Sequence, residues 1–172
     1  VQTCALPILE RDNAPLGSQI YILPDLRILW VGIDGAGDDQ AKNVRRYNVD
    51  GTLDSTFTCP DFISENSGFV RSVGAQSSGK LIVVGHFDDV GGDSYGKIVR
   101  LNTDGSVDST FNNGGSGFNN NALVVKVLSD DSILVGGIFN NYNGTSVDRL
   151  VKLDEDGVLD SSFTANLTAV NG

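Results

Sequence analysis

The chain is short of the residues that usually carry chemistry. It has one histidine, two cysteines and only 12 lysines and arginines against 22 aspartates and glutamates, a net charge of −10. A surface this acidic, with a pI of about 4.3, argues against a nucleic-acid partner, whose phosphates need a basic face, and disfavours anionic membranes. No apolar run approaches the ~20 residues of a membrane-spanning helix. Helical periodicity is missing too, because glycine interrupts every window long enough to show it. The motifs G-x-S-x-G, H-E-x-x-H, the phosphate-binding Walker loop and the dinucleotide fingerprint do not occur.

What is present is a line written three times. Asp-Gly-Thr-Leu-Asp-Ser-Thr-Phe at 50–57 returns as Asp-Gly-Ser-Val-Asp-Ser-Thr-Phe at 104–111 and as Asp-Gly-Val-Leu-Asp-Ser-Ser-Phe at 156–163, spacings of 54 and 52 residues. The similarity extends upstream. The stretch at 79–87, ending Val-Val-Gly-His-Phe, matches 131–139, ending Val-Gly-Gly-Ile-Phe, with a decayed copy at 26–34. Residues 97–102 match 149–154, and 44–48 form the weaker first copy. Repetition at this period sets the architecture before any local reading does.

Each unit reads as four short strands. The first is 70–76, matched by 122–128. After a turn comes an apolar run, 81–84, matched by 133–135 and 28–31. Consecutive apolar, β-branched residues predict a strand buried on both faces. A Gly/Asn/Asp-rich loop follows, 88–96 or 140–148, then a third strand, 98–101. Asp104-Gly105 predicts a two-residue type I′ hairpin turn, and 107–111 the fourth strand. Four strands in roughly 50 residues, with one strand covered on both faces, predict a blade of a β-propeller. The fold class expected is all-β, with tandem four-stranded antiparallel blades making about three blades of an incomplete propeller. A parallel β-helix, the rival, has shorter coils and no need of an Asp-Gly hairpin in each unit.

The lines Arg100-Leu-Asn-Thr-Asp-Gly-Ser-Val-Asp-Ser-Thr-Phe111 and Lys152-Leu-Asp-Glu-Asp-Gly-Val-Leu-Asp-Ser-Ser-Phe163 resemble the delta-60 repeat. The resemblance covers about 21–163 and is strongest in the second and third units. In the first, Trp30 and Asp34 stand where the pattern has small or aromatic residues. It implies β-propeller blades in bacterial surface or secreted proteins and in phage tail proteins. It brings no catalytic motif, so chemistry has to be argued from sites.

The organisation expected is a degraded blade at 9–57, a second at 58–111, a third at 112–163 and the start of a fourth at 164–172. Residues 1–8, Val-Gln-Thr-Cys-Ala-Leu-Pro-Ile, have no counterpart in the repeats. They resemble the translation of a sequencing adapter, GTT CAG ACG TGT GCT CTT CCG ATC. The expectation is a metagenomic fragment whose reading frame opens in adapter DNA, which sets residues 1–8 and Cys4 apart from the fold. Cys59 alone then makes neither an intrachain disulfide nor a zinc site.

The candidate constellations are few. His86 stands where the next unit has Ile138, and reads as a loop-edge residue without a catalytic partner. Asn48/Asp50/Asp54, Asn102/Asp104/Asp108 and Asp154/Asp156/Asp160 partly match calcium loops, but the closing glutamate is missing: the register from Asp154 lands on Ala165. The hairpin reading with Asx bonding accounts for them. Asp88, Asp89 and Asp93, and Asp38 with Asp39, read as solvated acidic loops. Residues 112–121 read as a linker between blades, and Gly114-Gly-Ser-Gly117 mimics a nucleotide loop with no helix behind it.

No catalytic, cofactor-binding or metal residue is therefore expected, and no enzyme. The function expected is a propeller segment acting as scaffold or as an adhesion and binding module in a phage tail or bacterial surface protein. The alternatives are a calcium-dependent ligand-binding propeller and a non-catalytic part of a larger propeller enzyme. The partners expected are further blades of a longer chain and a surface glycan or protein receptor, with no nucleic acid and no membrane, in an extracellular, cell-surface or virion setting. Phe57, Phe111 and Phe163 are expected at equivalent buried positions, and Trp30, Val83 and Val135 at another.

Overall fold

The computed structural model describes residues 19–32, 44–64 and 68–163. Over these the chain is β-structure, and helical turns are confined to Phe111–Gly114 and residues 161–163. Blade 1 contains β1 (Gln19–Ile22), β2 (Ile28–Val31) and β3 (Val44–Tyr47) as an antiparallel sheet. The short β4 (Phe62–Ile63) leads into blade 2. There β5 (Phe69–Ala75), β6 (Leu81–His86) and β9 (Ile98–Leu101) form the main sheet, and β7 (Asp89–Val90) and β8 (Asp93–Ser94) form a hairpin between β6 and β9. Blade 3 repeats this arrangement. Its main sheet is β10 (Ala122–Val127), β11 (Ile133–Gly137) and β14 (Leu150–Leu153), with the hairpin β12 (Asn141–Tyr142) and β13 (Thr145–Ser146). The architecture is all-β tandem blades, as the repeat predicts.

The cores form between blades. Along β6, Leu81 and Val83 point to a core shared with blade 1, together with Leu29, Val31 and Val44. The intervening Ile82 and Val84 point the other way, into a core shared with blade 3, together with Ile133, Val135 and Val151. Strand period two thus assigns one strand to two cores. This is why the sequence is apolar at every position there, and why all four residues are buried. Full burial of each such side chain contributes about 1.5–3 kcal/mol. Register makes the repeats superimposable. Val83 pairs with Val99, Val135 with Val151 and Trp30 with Arg45, so the three expected equivalents do align. Phe57 and Phe111 are buried and Phe163 is half-buried at the end of blade 3.

Four local features differ from the expectation. The Asp-Gly turns are not two-residue type I′ turns. Gly105 N–H donates to Asn102 and Asn102 N–H to Ser106, enclosing three residues. Only Gly105 has positive φ (91°), with Asp104 outside that region. This is a type I turn followed by a left-handed residue, the usual three-residue hairpin. A side chain at Gly105 would also meet the Thr58 backbone at 2.8 Å. The same turn closes every first hairpin, at Leu23–Arg27, Gln76–Lys80 and Leu128–Ser132.

The type I′ turns lie in the segments read as loops. Gly91 and Gly92 have φ of 65° and 99°, and Asn143 and Gly144 50° and 81°, each pair joining two strands with two residues between the last paired positions. The physical cue was an Asn-Gly dipeptide between β-compatible residues. An aromatic box packs beside these hairpins, reached through the pairing of Phe62 with Val90 and the bridge of Phe118 to Tyr142. Phe62 meets Phe87 edge-on at 4.9 Å, and Phe118 stacks on Phe139 at 4.1 Å and lies 4.6 Å from Tyr142. The linker at 112–121 is therefore partly core: Phe118 is buried and bridges Tyr142.

The fourth strand is shorter than 107–111. It is reduced to one bridge per blade, Tyr47 to Leu53, Leu101 to Val107 and Leu153 to Leu159. Beyond each bridge the chain turns, because the next aspartate captures its own backbone two residues on. Asp34, Asp38, Asp39, Cys4, Ala165, residues 1–8 and 164–172 lie outside the described residues.

Candidate functional site

The repeated signature assembles into a latch between blades. Arg100, on β9, is buried and donates through Nε to Asp108 Oδ2 at 2.7 Å. Its Nη2 donates to Thr110 Oγ1 at 3.2 Å, and its guanidinium lies 5.0 Å from the Phe111 ring centroid. Nη1 crosses to blade 3 and donates to the Glu155 carbonyl at 2.8 Å and to Asp156 Oδ1 at 2.9 Å. Lys80 adds a second cation, 2.7 Å from Asp108 Oδ2. Blade 1 repeats the arrangement: Arg46 donates to Asp54 (2.7 Å), Thr56 (3.3 Å) and, across the junction, the Thr103 carbonyl (2.5 Å). It lies 4.6 Å from the Phe57 centroid, and Arg27 takes the place of Lys80.

The backbone closes the same junctions. Thr58 N–H donates to the Asp104 carbonyl and Asn112 N–H to that of Asp156, both at 2.8 Å. The phenylalanine, the aspartate and the Asp-Gly turn of the signature are thus parts of one contact. Arg46 and Asp54 are buried, as are Arg100 and Asp108. A buried ion pair stands only when its remaining donors and acceptors are met, and here the guanidiniums are. The Thr56 hydroxyl holds the Asp54 carboxyl well below the usual range against the opposing effect of burial, with Arg46 and Arg27 adding to it. For Asp108 burial pushes upward, but Lys80, Thr110 and Arg100 outweigh it and hold the group low.

Blade 3 carries a weaker version. Lys152 stands where Arg46 and Arg100 do, 3.9 Å from Asp160 Oδ2. Asp130, Ser132, Lys152, Glu155, Val158 and Asp160 line an open groove of about 570 Å³ at this end.

The residues proposed for calcium-type loops are engaged in their own turns. Asp104 Oδ1 accepts the Ser106 N–H at 2.9 Å and its hydroxyl at 2.6 Å. Asp108 Oδ1 accepts the same two groups of Thr110. Among the described residues no three His, Cys, Asp or Glu side chains gather as a metal site. Asp88 pairs with Lys97 and Asp89 Oδ1 accepts the Gly92 N–H at 2.8 Å, so the acidic loop residues turn to separate partners. His86 is the last residue of β6, at the edge of the loop that follows, and meets Phe69 edge-on at 5.2 Å. Cys59 packs on the first core, and burial pushes its thiol up to about 12. Gly114-Gly-Ser-Gly117 leads to the Phe118 bridge, and Gly117 N–H donates to Asn143.

Sequence reasoning missed the latch arginines and the aromatic box. The signal for the first was available: Arg46/Asp54, Arg100/Asp108 and Lys152/Asp160 are all eight residues apart. Three stretches, 23–57, 76–111 and 128–163, match the family described as "Domain of unknown function (DUF5122) beta-propeller". The chain belongs to this family. Each matched DUF5122 stretch runs from the first three-residue turn of a blade to its signature phenylalanine, so it contains both ends of the latch. The delta-60-like reading and the propeller blades agree with this membership. No curated protein matches the chain.

Proposed function

We propose that this propeller module is a non-enzymatic scaffold and adhesion or binding element of a phage tail or bacterial surface protein, working outside the cell. The observation that carries the reading is that the repeated polar residues are spent on joining blades: Asp54, Asp108, Arg46 and Arg100 meet one another and neighbouring turns. These four residues are buried at the junctions, which leaves the outward surface for a ligand, and a net charge of −10 suits an exposed, soluble setting. A surface glycan or protein receptor is the ligand class that such a surface would take. Calcium-dependent binding is the weaker reading, because calcium at Asp108 would have to displace Lys80 and Arg100. Millimolar calcium is expected to leave the melting temperature unchanged, whereas a native-state ligand would raise it.

The surface role is tested by brief trypsin treatment of intact source cells or purified particles, followed by mass spectrometry. Peptides of this chain are expected in the released fraction. Their recovery only after lysis would contradict the proposal.

A further inference from the structure

Blades 2 and 3 differ at one corner of their main sheets. Both β5 and β10 carry a bulge at the same place, with Arg71 the extra residue of one and Leu123 of the other. A bulge breaks the alternation of its strand and re-aims the side chain it carries. Beside the bulge of blade 2, Phe69 pairs with His86 across β5 and β6. Asn121 and Ile138 hold these positions in blade 3, joined by the Ile138 N–H to the Asn121 carbonyl. A corner that is amide and aliphatic in blade 3, with Leu123 40% and Ile138 48% exposed, is therefore guanidinium, imidazole and phenyl in blade 2.

These three side chains meet. The Arg71 guanidinium lies over the Phe69 ring, 4.4 Å from its centroid, and the His86 ring meets the same phenyl edge-on at 5.2 Å. All three residues are half-buried, so the group is packed and still reachable from solvent. Its cation is unbalanced. Arg27, Arg46 and Arg100 each hold a carboxylate. Arg71 holds none among the described residues, in a chain with 22 acidic side chains. Its Nε is moreover buried without a hydrogen-bond partner. Folded proteins seldom leave a buried donor unmet, and an ion or ligand supplied from outside is one of the reasons they do. Stacking on the ring keeps the planar fork of the guanidinium in place, in the form that suits a carboxylate.

Resting on the surface-binding reading above, we propose that Arg71, His86 and Phe69 form a site for the carboxylate of an acidic sugar. Arg71 supplies the charge and the fork. His86 offers an N–H to the same anion or to a hydroxyl beside it, and Phe69 holds both in place. The surroundings favour a sugar acid over an acidic peptide. Asp88 and Asp89 lie just beyond His86 in the chain, and the net charge is −10. Carboxylates accept hydrogen bonds from sugar hydroxyls but repel a second anionic group. A sugar with one carboxylate suits that field, and a run of glutamates does not.

The test is a titration of the isotope-labelled chain followed by NMR, with glucuronate, glucose and triglutamate as separate probes. Glucuronate is expected to shift the Arg71 Nε–H and the His86 amide signals at millimolar concentration, and glucose to leave them unmoved. Arg71→Gln is expected to weaken glucuronate binding about tenfold or more, as the loss of a charged hydrogen-bond partner does. Arg71→Lys, which keeps the charge and the aliphatic stem but not the fork, guards against a folding defect, and it too is expected to bind more weakly than the wild type. His86→Ile is expected to weaken binding by a smaller factor at unchanged melting temperature, because blade 3 has isoleucine at that position. No shift with glucuronate, equal shifts with glucose, or wild-type binding by either Arg71 variant overturns the proposal. Tighter binding of triglutamate than of glucuronate would assign the site to an acidic peptide and overturns it as well. None of these outcomes bears on release of the chain by trypsin from the source surface, so the two readings fail separately.

Discussion

Blades 2 and 3 share one signature, but the charged pair at its centre lives in two environments. In blade 2, Arg100 and Asp108 are sealed by blade 3 and satisfied by it, with Arg100 Nη1 reaching Glu155 and Asp156. In blade 3, Lys152 and Asp160 sit at the outer face with side chains 27% and 34% exposed, 3.9 Å apart. The same positions are thus structural where a neighbour covers them and superficial where none does. The energetic meaning of a repeat residue comes from the junction, and repeat stability is accordingly a sum of blade terms and nearest-neighbour terms.

The largest expected effect breaks this contrast directly. Arg100→Met leaves Asp108 buried beside Lys80 alone and the Glu155 carbonyl without its guanidinium. Removing one partner of a buried pair costs about 3–5 kcal/mol. Lys152→Met, the same change one repeat later, is expected to leave the urea midpoint unchanged. Equal losses for the two variants would show that the latch works within a blade and not across the junction.

Acid should separate the blades next. Asp54 and Asp108 are held below the ordinary carboxylate range in the folded state. In the unfolded chain they return to about 3.9. The unfolded state therefore binds more protons near that pH, so stability rises with pH there. The contribution is fully present above the unfolded value and is lost as pH falls through the folded one. The melting temperature is expected to hold from neutrality to about pH 5 and to fall below it. Asp108→Asn, melted across pH 2–6, should show a shallower decline than the wild type. An identical slope would remove Asp108 from the set of acid-sensitive groups.

How much of this was legible follows from the range of each cue. Strand positions were readable because β6 is apolar at every position from Leu81 to Val84 and the period repeats that run. The three-residue turn was misread because Asp-Gly serves two hairpin types. The choice depends on φ at Asp104, which the dipeptide does not encode. The aromatic box was hidden for another reason. Phe62 and Phe87 are 25 residues apart and meet only because a hairpin folds between them, a contact that local periodicity cannot show. The latch was half visible. The eight-residue spacing of charge was on the page, but its reach into the next blade depends on packing.

Tyr142 differs in the same way from its blade 2 counterpart Val90. The buried Tyr142 hydroxyl donates to the Gly157 carbonyl at 2.6 Å and lies 3.0 Å from Asn112 Oδ1. It ties the aromatic box to the Asp-Gly turn, which Val90 cannot do. Burial also pushes its phenol upward, so it stays a donor across the whole neutral range. Tyr142→Phe keeps the ring and strands a buried carbonyl, at a cost of about 1–3 kcal/mol. Thermal unfolding checks this, and a loss near zero would place the hydroxyl in contact with water.

The smallest effect concerns the first turn of blade 1. Leu26 occupies the left-handed position with φ of 67°, where blade 2 has Gly79 at 81°. A leucine there carries a steric penalty of roughly 1–2 kcal/mol, and as an exposed side chain it gains little from packing. Leu26→Gly relieves the clash but makes the unfolded chain more flexible, which returns roughly 0.5–1 kcal/mol of the gain. The net expectation is a stabilisation of about 0.5–1 kcal/mol, read as a higher urea midpoint at unchanged slope. The reverse change in blade 2, Gly79→Leu, should destabilise. Its side chain would start 3.2 Å from Thr103 Cγ2 in addition to the strained φ. If both substitutions moved the midpoint the same way, the first turn of blade 1 would not be equivalent to that of blade 2, and the degraded repeat would differ in backbone as well as in sequence.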